Sequence, residues 1–337
     1  MENKVLLGHG SGGKLTHDLI QNLFYKHFGN DKLMVQGDAA LLDNIGKNVL
    51  FTTDSFVVDP IFFPGGDIGK LAVCGTVNDI AVSGGKPLYI SVAFIIEEGF
   101  PLKDLEKIVI SMAAEAMNAG VKIVTGDTKV VNKGKCDKIF INTTGIGTAI
   151  EGYEAVITGN KIQPGDMVLV NGTLGDHGIS VMAARESLHF ESEIHSDCAS
   201  LYYMIKELTD AGCHIKFMRD ATRGGLASVL NELVQYRNLG INIDETQIPI
   251  REGVRGACEI FGFDPLYVAN EGKVVIIVDP KDSDKIISIL QNNPLGKDAS
   301  IIGSVTSENP RKVLMRTTIG GSRIVDMLAG EQLPRIC

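Results

Sequence analysis

Leu105, Ile108, Val109, Met112, Ala113 and Ala116 recur at i, i+3, i+4, i+7, i+8 and i+11. That spacing lays one apolar stripe along a helix and obliges it to pack on a second layer. Pro101 supplies a start ahead of it and Gly120 a stop behind it. The segments on either side have another character: "LYISVAFII" (88–96), "VKIVTGD" (121–127) and "KIFINTTGIGTA" (138–149) are rich in β-branched and aromatic residues and read as strands. "VLFTTDSF" (49–56) reads as a strand entering a loop. "GGDIGKLAVCGTVNDIAVSG" (65–84) reads as a helix of small residues, suited to close approach to another backbone. Leu19, Leu23, Phe24 and His27 recur at helical spacing after the glycine-rich "GHGSGGK" (8–14).

Residues 151–165, with "TGNKIQPGD", form a turn-rich boundary. A second unit opens with "MVLVNG" as a strand that passes through "TLGDHG" into a helix. Helices are expected near 196–209 and after "RDATRGG", and strands at "KVVIIVD" and "SIIGSV". Strands and helices mix without regular βαβ repetition, so the expected class is α+β, with mixed sheets and packed helices rather than a barrel of repeats. The 337 residues suggest two domains. The expected divisions are an arm and helix over 1–35, domains over 36–155 and 156–328, and a tail over 329–337.

A net charge of −9 without a Lys/Arg-rich run argues against nucleic acid as a partner. With no uninterrupted apolar stretch of about 18 residues and no signal peptide, a membrane is not expected either, and the expected location is the cytoplasm. The six cysteines, at 74, 136, 198, 213, 258 and 337, form no C-x-x-C pair, which argues against a zinc knuckle or a dithiol couple and for reduced thiols. Cys74 reads as a small packed hydrophobe. Cys337, in "EQLPRIC", has no such explanation: "AGEQLPRIC" lacks periodicity, contains a proline, and predicts a flexible tail about 25 Å long if extended.

"GHGSGGK" fits G-x-G-x-x-G, yet only "KVLL" precedes it as a strand. It also fits most of a Walker A loop, but Leu15 stands where Ser or Thr would reach magnesium. Backbone N–H groups from His9 to Gly13, Ser11 and Gly12 included, together with Lys14, suit phosphate wrapping. A plain N-terminal arm suits the same composition. Magnesium would then need carboxylates from elsewhere. Asp38, Asp54, Asp79, Asp127 and Asp220 stand in apolar or glycine-rich settings, although any single aspartate there also serves as a cap or turn residue.

"GHGSGGK", "TTDSFVVDPIFFPGGDIGKLAVCGTVNDIAVSG", "VTGDTKVV", "NGTLGDHG", "RDATRGG", "ANEGK", "PLGKDASIIG" and "PRIC" cover nearly the whole length in order. On these motifs the chain resembles the HypE family of hydrogenase maturation factors, within the AIR synthetase/selenophosphate synthetase superfamily. The resemblance implies a two-domain AIR synthetase-like (PurM-like) fold whose first domains share a barrel in a homodimer. It implies an ATP- and magnesium-dependent dehydration of a carbamoyl group on the Cys337 thiol to a thiocyanate, which supplies the cyanide ligands of nickel–iron hydrogenase. The implied partners are the HypF carbamoyltransferase and the HypC–HypD complex as cyanide acceptor. Carried over by motif, His9 to Lys14, the five aspartates and Thr222 contact ATP, with the aspartates as magnesium ligands. Glu271 is the candidate base and Lys129 the charge stabiliser or proton carrier, with Lys133 as fallback. His177 is a possible phosphate contact. Two other readings compete: a small-molecule synthetase of the selenophosphate synthetase type, and a non-catalytic carrier of a group on Cys337.

Overall fold

A computed structural model describes residues 4–10, 14–35, 40, 42, 45–185, 193–328 and 336, without the side chains of 14 and 35. Of the expected site residues, Ser11, Gly12, Gly13, Asp38, Cys337 and the side chain of Lys14 lie outside the described residues.

In the first half, α1 (Lys14–Leu19) continues through a π-helical turn (Ile20–Phe24) into α2 (Tyr25–Phe28). Then come β1 (Val49–Phe56), the short pair β2 (Phe62–Phe63) and β3 (Gly66–Asp67), α3 (Ile68–Val82), β4 (Gly85–Glu97), α4 (Leu102–Ala119), β5 (Lys122–Val131) and β6 (Ile139–Ala149). The four long strands form one sheet in the order β1-β6-β4-β5, antiparallel except for the parallel β4–β5 pair that α4 connects.

The two long helices differ in what surrounds them. α4 is amphipathic as its spacing predicts: Leu105, Ile108, Val109 and Met112 are fully buried, and Gly120 ends it in the left-handed region (φ 70°). α3 has no polar face, and 13 of its 15 residues are buried. It lies between the first sheet and elements of the second half, β8 and α6 described below. The Asp67 carboxylate caps its start by accepting from the Gly69 and Lys70 N–H groups, a contribution of about 1 kcal/mol. Gly75 permits a close approach to β1: a Cβ there would stand 2.9 Å from the Phe56 ring and 3.6 Å from Asp54 Oδ2. The small residues of 65–84 therefore let β1 and its aspartate sit directly on the helix.

The second half contains β7 (Met167–Val170), α5 (Asp176–Ala183), α6 (Tyr202–Asp210), β8 (Ile215–Asp220), α7 (Gly225–Val234), β9 (Gly240–Asp244), α8 (Glu252–Phe261), β10 (Val274–Val278), α9 (Ser283–Asn292), β11 (Ser300–Thr306), β12 (Val313–Arg316) and β13 (Ser322–Val325). Its seven-stranded sheet runs β13-β12-β9-β11-β7-β10-β8 and is mixed, β9–β12 being its parallel pair. β10 is buried at every position. Val274, Ile276 and Val278 join the core shared with the first half, while Val275 and Ile277 join a second core under α7. That two-sided burial is why "VVIIV" is continuously apolar rather than alternating.

Two expectations change. The helix expected near 196–209 begins only at Tyr202. Residues 196–201 use their backbone groups elsewhere: Ser196 N–H donates to Pro64 O, Ala199 O accepts from Asn78 Nδ2, and Leu201 N–H donates to Asn78 Oδ1. The expected flexible tail has one described residue, and it is docked: Ile336 is buried in the shared core. Among the described residues no helix is long and apolar enough to cross a membrane.

Candidate active site

β1, α3, β8 and the segment that follows α8 converge on one cavity of ≈ 200 Å³. Asp54 comes from β1, Asp79 from the last turn of α3, Asp220 from the end of β8, and Glu271 from the strand-free turn ahead of β10. Thr222 and Arg223 enter from the turn between β8 and α7. Gly224 and Gly225 make that turn, both with positive φ (71° and 57°). A Cβ on Gly225 would lie 2.6 Å from the carbonyls of Leu266 and Val268.

The carboxylates in this cavity oppose one another's ionisation. Burial pushes Asp54 and Asp79 up from the usual carboxylate value, Asp79 against the Thr52 hydroxyl, which donates to its Oδ2 at 2.7 Å. Asp220 is pushed up to about 7, by burial first and by neighbouring Asp79 second. Arg223 reaches Asp54 at 3.8 Å but is itself largely exposed and offsets little of this. Carboxylates crowded in this way favour a bound cation. No three His, Cys, Asp or Glu among the described residues enclose a metal on their own.

Glu271 is held by its backbone. The Asp197 carboxylate accepts from the N–H groups of Glu271 (3.1 Å) and Gly272 (3.2 Å), and Lys273 Nζ pairs with it at 3.1 Å. Burial alone would raise Asp197, but Lys273 leads the groups that hold it below the usual range. A Cβ on Gly272 would fall 1.9 Å from Asp197 O, so glycine is obligatory there.

Other expected residues stand apart. Across the first sheet Asp54 is level with Thr143, Val92 and Gly126. Three strand spacings therefore separate it from β5, about 14 Å. Asp127, one residue further on, projects from the opposite face and pairs with Lys129 at 3.2 Å, both exposed. Asp127 also lines a separate hollow of ≈ 170 Å³ with Phe24 and Phe28. His9 and Gly10 lie on the same side: a Cβ on Gly10 would stand 2.5 Å from Val130 N, and His9 Nδ1 accepts from Leu6 N–H. Within one chain, then, Asp127, Lys129, His9 and Gly10 do not join the Asp54 cavity, because β5 is the far edge of the sheet. His177 is no phosphate contact either, since its ring is buried between Ser196 and Ile336.

The motif reading missed Arg223 and Lys273, although both sit inside quoted blocks. It also missed Ser196 and Asp197, which carry no local pattern.

The AIR synthase related protein models match residues 36–149 (N-terminal domain) and 163–315 (C-terminal domain). The carbamoyl dehydratase HypE of Rhizobium leguminosarum bv. viciae is 49% identical over 335 residues, covering 99% of this chain and 95% of that protein. The chain belongs to the HypE family. The HypE of Escherichia coli K12 is 45% identical over 340 residues, with 99% and 100% coverage. A crystal structure of hydrogenase maturation protein HypE in complex with ATP superposes at TM-score 0.94, with 46% identity over 98% of this chain and 99% of that one. A HypE–HypF complex structure superposes at TM-score 0.79, with 52% identity over 92% and 99%. Thiamine monophosphate kinase from Aquifex aeolicus shares the fold alone, at 18% identity and TM-score 0.59.

Proposed function

We propose that this chain is an ATP-dependent carbamoyl dehydratase acting on a carboxamide carried by its own Cys337. The observation that carries this reading is the meeting of Glu271 with Asp54, Asp79 and Asp220 in one cavity. Family membership supports it, since relatives are named carbamoyl dehydratase HypE and one is solved with ATP.

The chemistry is R–S–C(=O)–NH2 + ATP → R–S–C≡N + ADP + phosphate. Oxide leaves poorly from a carboxamide; once the oxygen bears the transferred phosphoryl group it departs as phosphate. Two N–H bonds must break as C≡N forms, and Glu271 is the base that takes a proton from nitrogen. Asp54, Asp79 and Asp220 would hold magnesium, which when bound neutralises phosphate charge. Thr222 and Arg223 face the same space and offer donors to phosphate oxygens.

The remaining ATP contacts belong to the β5 side. Phe51 and Ile95 are exposed at 69% and 44% on the face of the sheet that also bears Asp127 and Lys129. A homodimer closing over this face would bring the β5 edge and glycine-rich loop of one copy to the cavity of the other. The two halves of each chain correspond to residues 36–155 and 156–328. HypF supplies the carbamoyl group, as the solved HypE–HypF complex of a relative supports. HypC–HypD accepts the cyanide, and the setting is cytoplasmic.

Carbamoylated protein given magnesium-ATP should lose the mass of one water at Cys337 and release phosphate. Unchanged mass despite bound ATP would leave a carrier. Turnover that survives Cys337→Ala would point to a small-molecule synthetase.

A further inference from the structure

Asn78 stands near the end of α3, one residue before the cavity's Asp79, and its side chain is buried. Three hydrogen bonds of that side chain cross to the second half. Its Oδ1 accepts from the Leu201 N–H at 2.8 Å, and its Nδ2 donates to the Ala199 carbonyl at 3.0 Å and to the Glu271 carbonyl at 3.4 Å. A backbone N–H only donates and a carbonyl only accepts, so the amide has a single orientation here. Both of its N–H groups face acceptors and its oxygen faces a donor.

Glu271 is gripped at both ends of its backbone. The Asp197 carboxylate accepts from its N–H, while its carbonyl accepts from Asn78 and from the Ala199 N–H at 3.5 Å. The two contacts at the carbonyl are long, so the firm ties of Asn78 are those to Ala199 and Leu201. Through them it fixes to α3 the same short segment whose Asp197 carries Glu271. In the other direction Asn78 is continuous with Asp79, which is held by a helix buried on nearly every side and by the Thr52 hydroxyl. Asp79 comes from the first half and Glu271 from the second, and both line one cavity. Breaking the amide's bonds in this dry place would leave backbone groups unpaired, which resists any slip of one half against the other.

We propose that Asn78 is a positioning residue that sets Glu271 against the Asp79 side of the cavity by tying the backbone of 199–201 and of Glu271 to α3. The purpose of this tie rests on the dehydratase reading, but the tie itself is measurable without turnover. It acts on the base and not on nucleotide binding. Asp79 keeps its place through α3 and Thr52, and Asp220 keeps its place through the pairing of β8 with β10. Glu271 lies outside any strand, so its position depends on the bonds its backbone makes.

The test compares Asn78→Ala, which removes all three bonds, with Asn78→Asp, which keeps the shape and the acceptor for Leu201 N–H but loses both donors. Hydrogen exchange of the full-length protein, followed by peptide mapping, reads the tie directly. In Asn78→Ala the amides of 196–201 and 270–273 should exchange about tenfold faster, with those of α4 unchanged. Single-turnover nitrile formation at saturating magnesium-ATP should fall about a hundredfold, the scale of a small misplacement of a reacting group, while magnesium-ATP affinity stays unchanged. Asn78→Asp should fall in the same direction with a smaller rise in exchange, and it carries the test should Asn78→Ala fail to fold. Wild-type exchange in a folded variant overturns the tie. Faster exchange with undiminished nitrile formation overturns the positioning role, and so does a loss of ATP affinity as large as the loss of nitrile formation, which would mark a general support of the fold. If exchange shifts as expected but no nitrile forms even in the wild-type protein, the tie stands and the dehydratase reading falls.

Discussion

The Asp54 cavity and the β5 edge carry residues from the same family motifs, yet they are built in opposite ways. The cavity side is made of packed elements: α3 is buried all round, Glu271 is clamped by Asp197, and the carboxylates are pushed up by burial. The β5 side is open. Asp127 and Lys129 pair in solvent, and apolar Phe51 and Ile95 share their face. One half of the proposed site is thus preorganised within a chain, and the other is presented outward. This difference is what a site completed by a second copy requires, since the preformed half fixes geometry while the exposed half stays available for the interface.

The sharpest break of that comparison is at Glu271. Glu271→Gln should lower single-turnover nitrile formation by about 10³, within the range for loss of a general base, while magnesium-ATP still binds. Nitrile formation within tenfold of wild type would remove Glu271 as base and leave the cavity as a nucleotide site only.

Mixing Asp220→Asn and Asp127→Asn protomers asks whether the two sides meet across subunits. Each variant alone should be inactive. Random re-association should restore about a quarter of wild-type activity, because half the dimers are mixed and each of those has one intact site of two. An inactive mixture would confine the working site to one chain.

The smallest effect concerns stability of the protein without nucleotide. Asp220 titrates near 7 when folded, above its unfolded value of 3.8. The native state therefore binds more protons between these values, and stability falls as pH rises from about 4 to 7. Asp220→Asn should raise the thermal midpoint at pH 8 by a few degrees, on the order of 1–2 kcal/mol, with a smaller gain at pH 5. A gain at pH 8 no larger than the gain at pH 5 in calorimetry would remove the buried Asp220 carboxylate as its cause.

Much of the fold was legible because its signals are local. The stripe of α4, the β-branched strands on either side of it and the glycine turns at "RDATRGG" each follow from residues within one element. The helix boundary at Tyr202 was not, because residues 196–201 spend their hydrogen bonds on Pro64, Asn78 and Glu271, partners far away in the chain. For the same reason the roles of Ser196 and Asp197 left no mark in "HSDCAS".

Sequence by itself determined the family, the element types, and the candidate chemistry, since motif order and periodicity are properties of the chain alone. Only the tertiary structure decided which aspartates share a cavity. Strand order places β1 and β5 at opposite edges of one sheet, and side-chain alternation turns Asp127 away from Asp54. It also decided that Ile336 is held rather than loose, because a hydrogen bond between residues 177 and 336 exists only after both halves have folded around it.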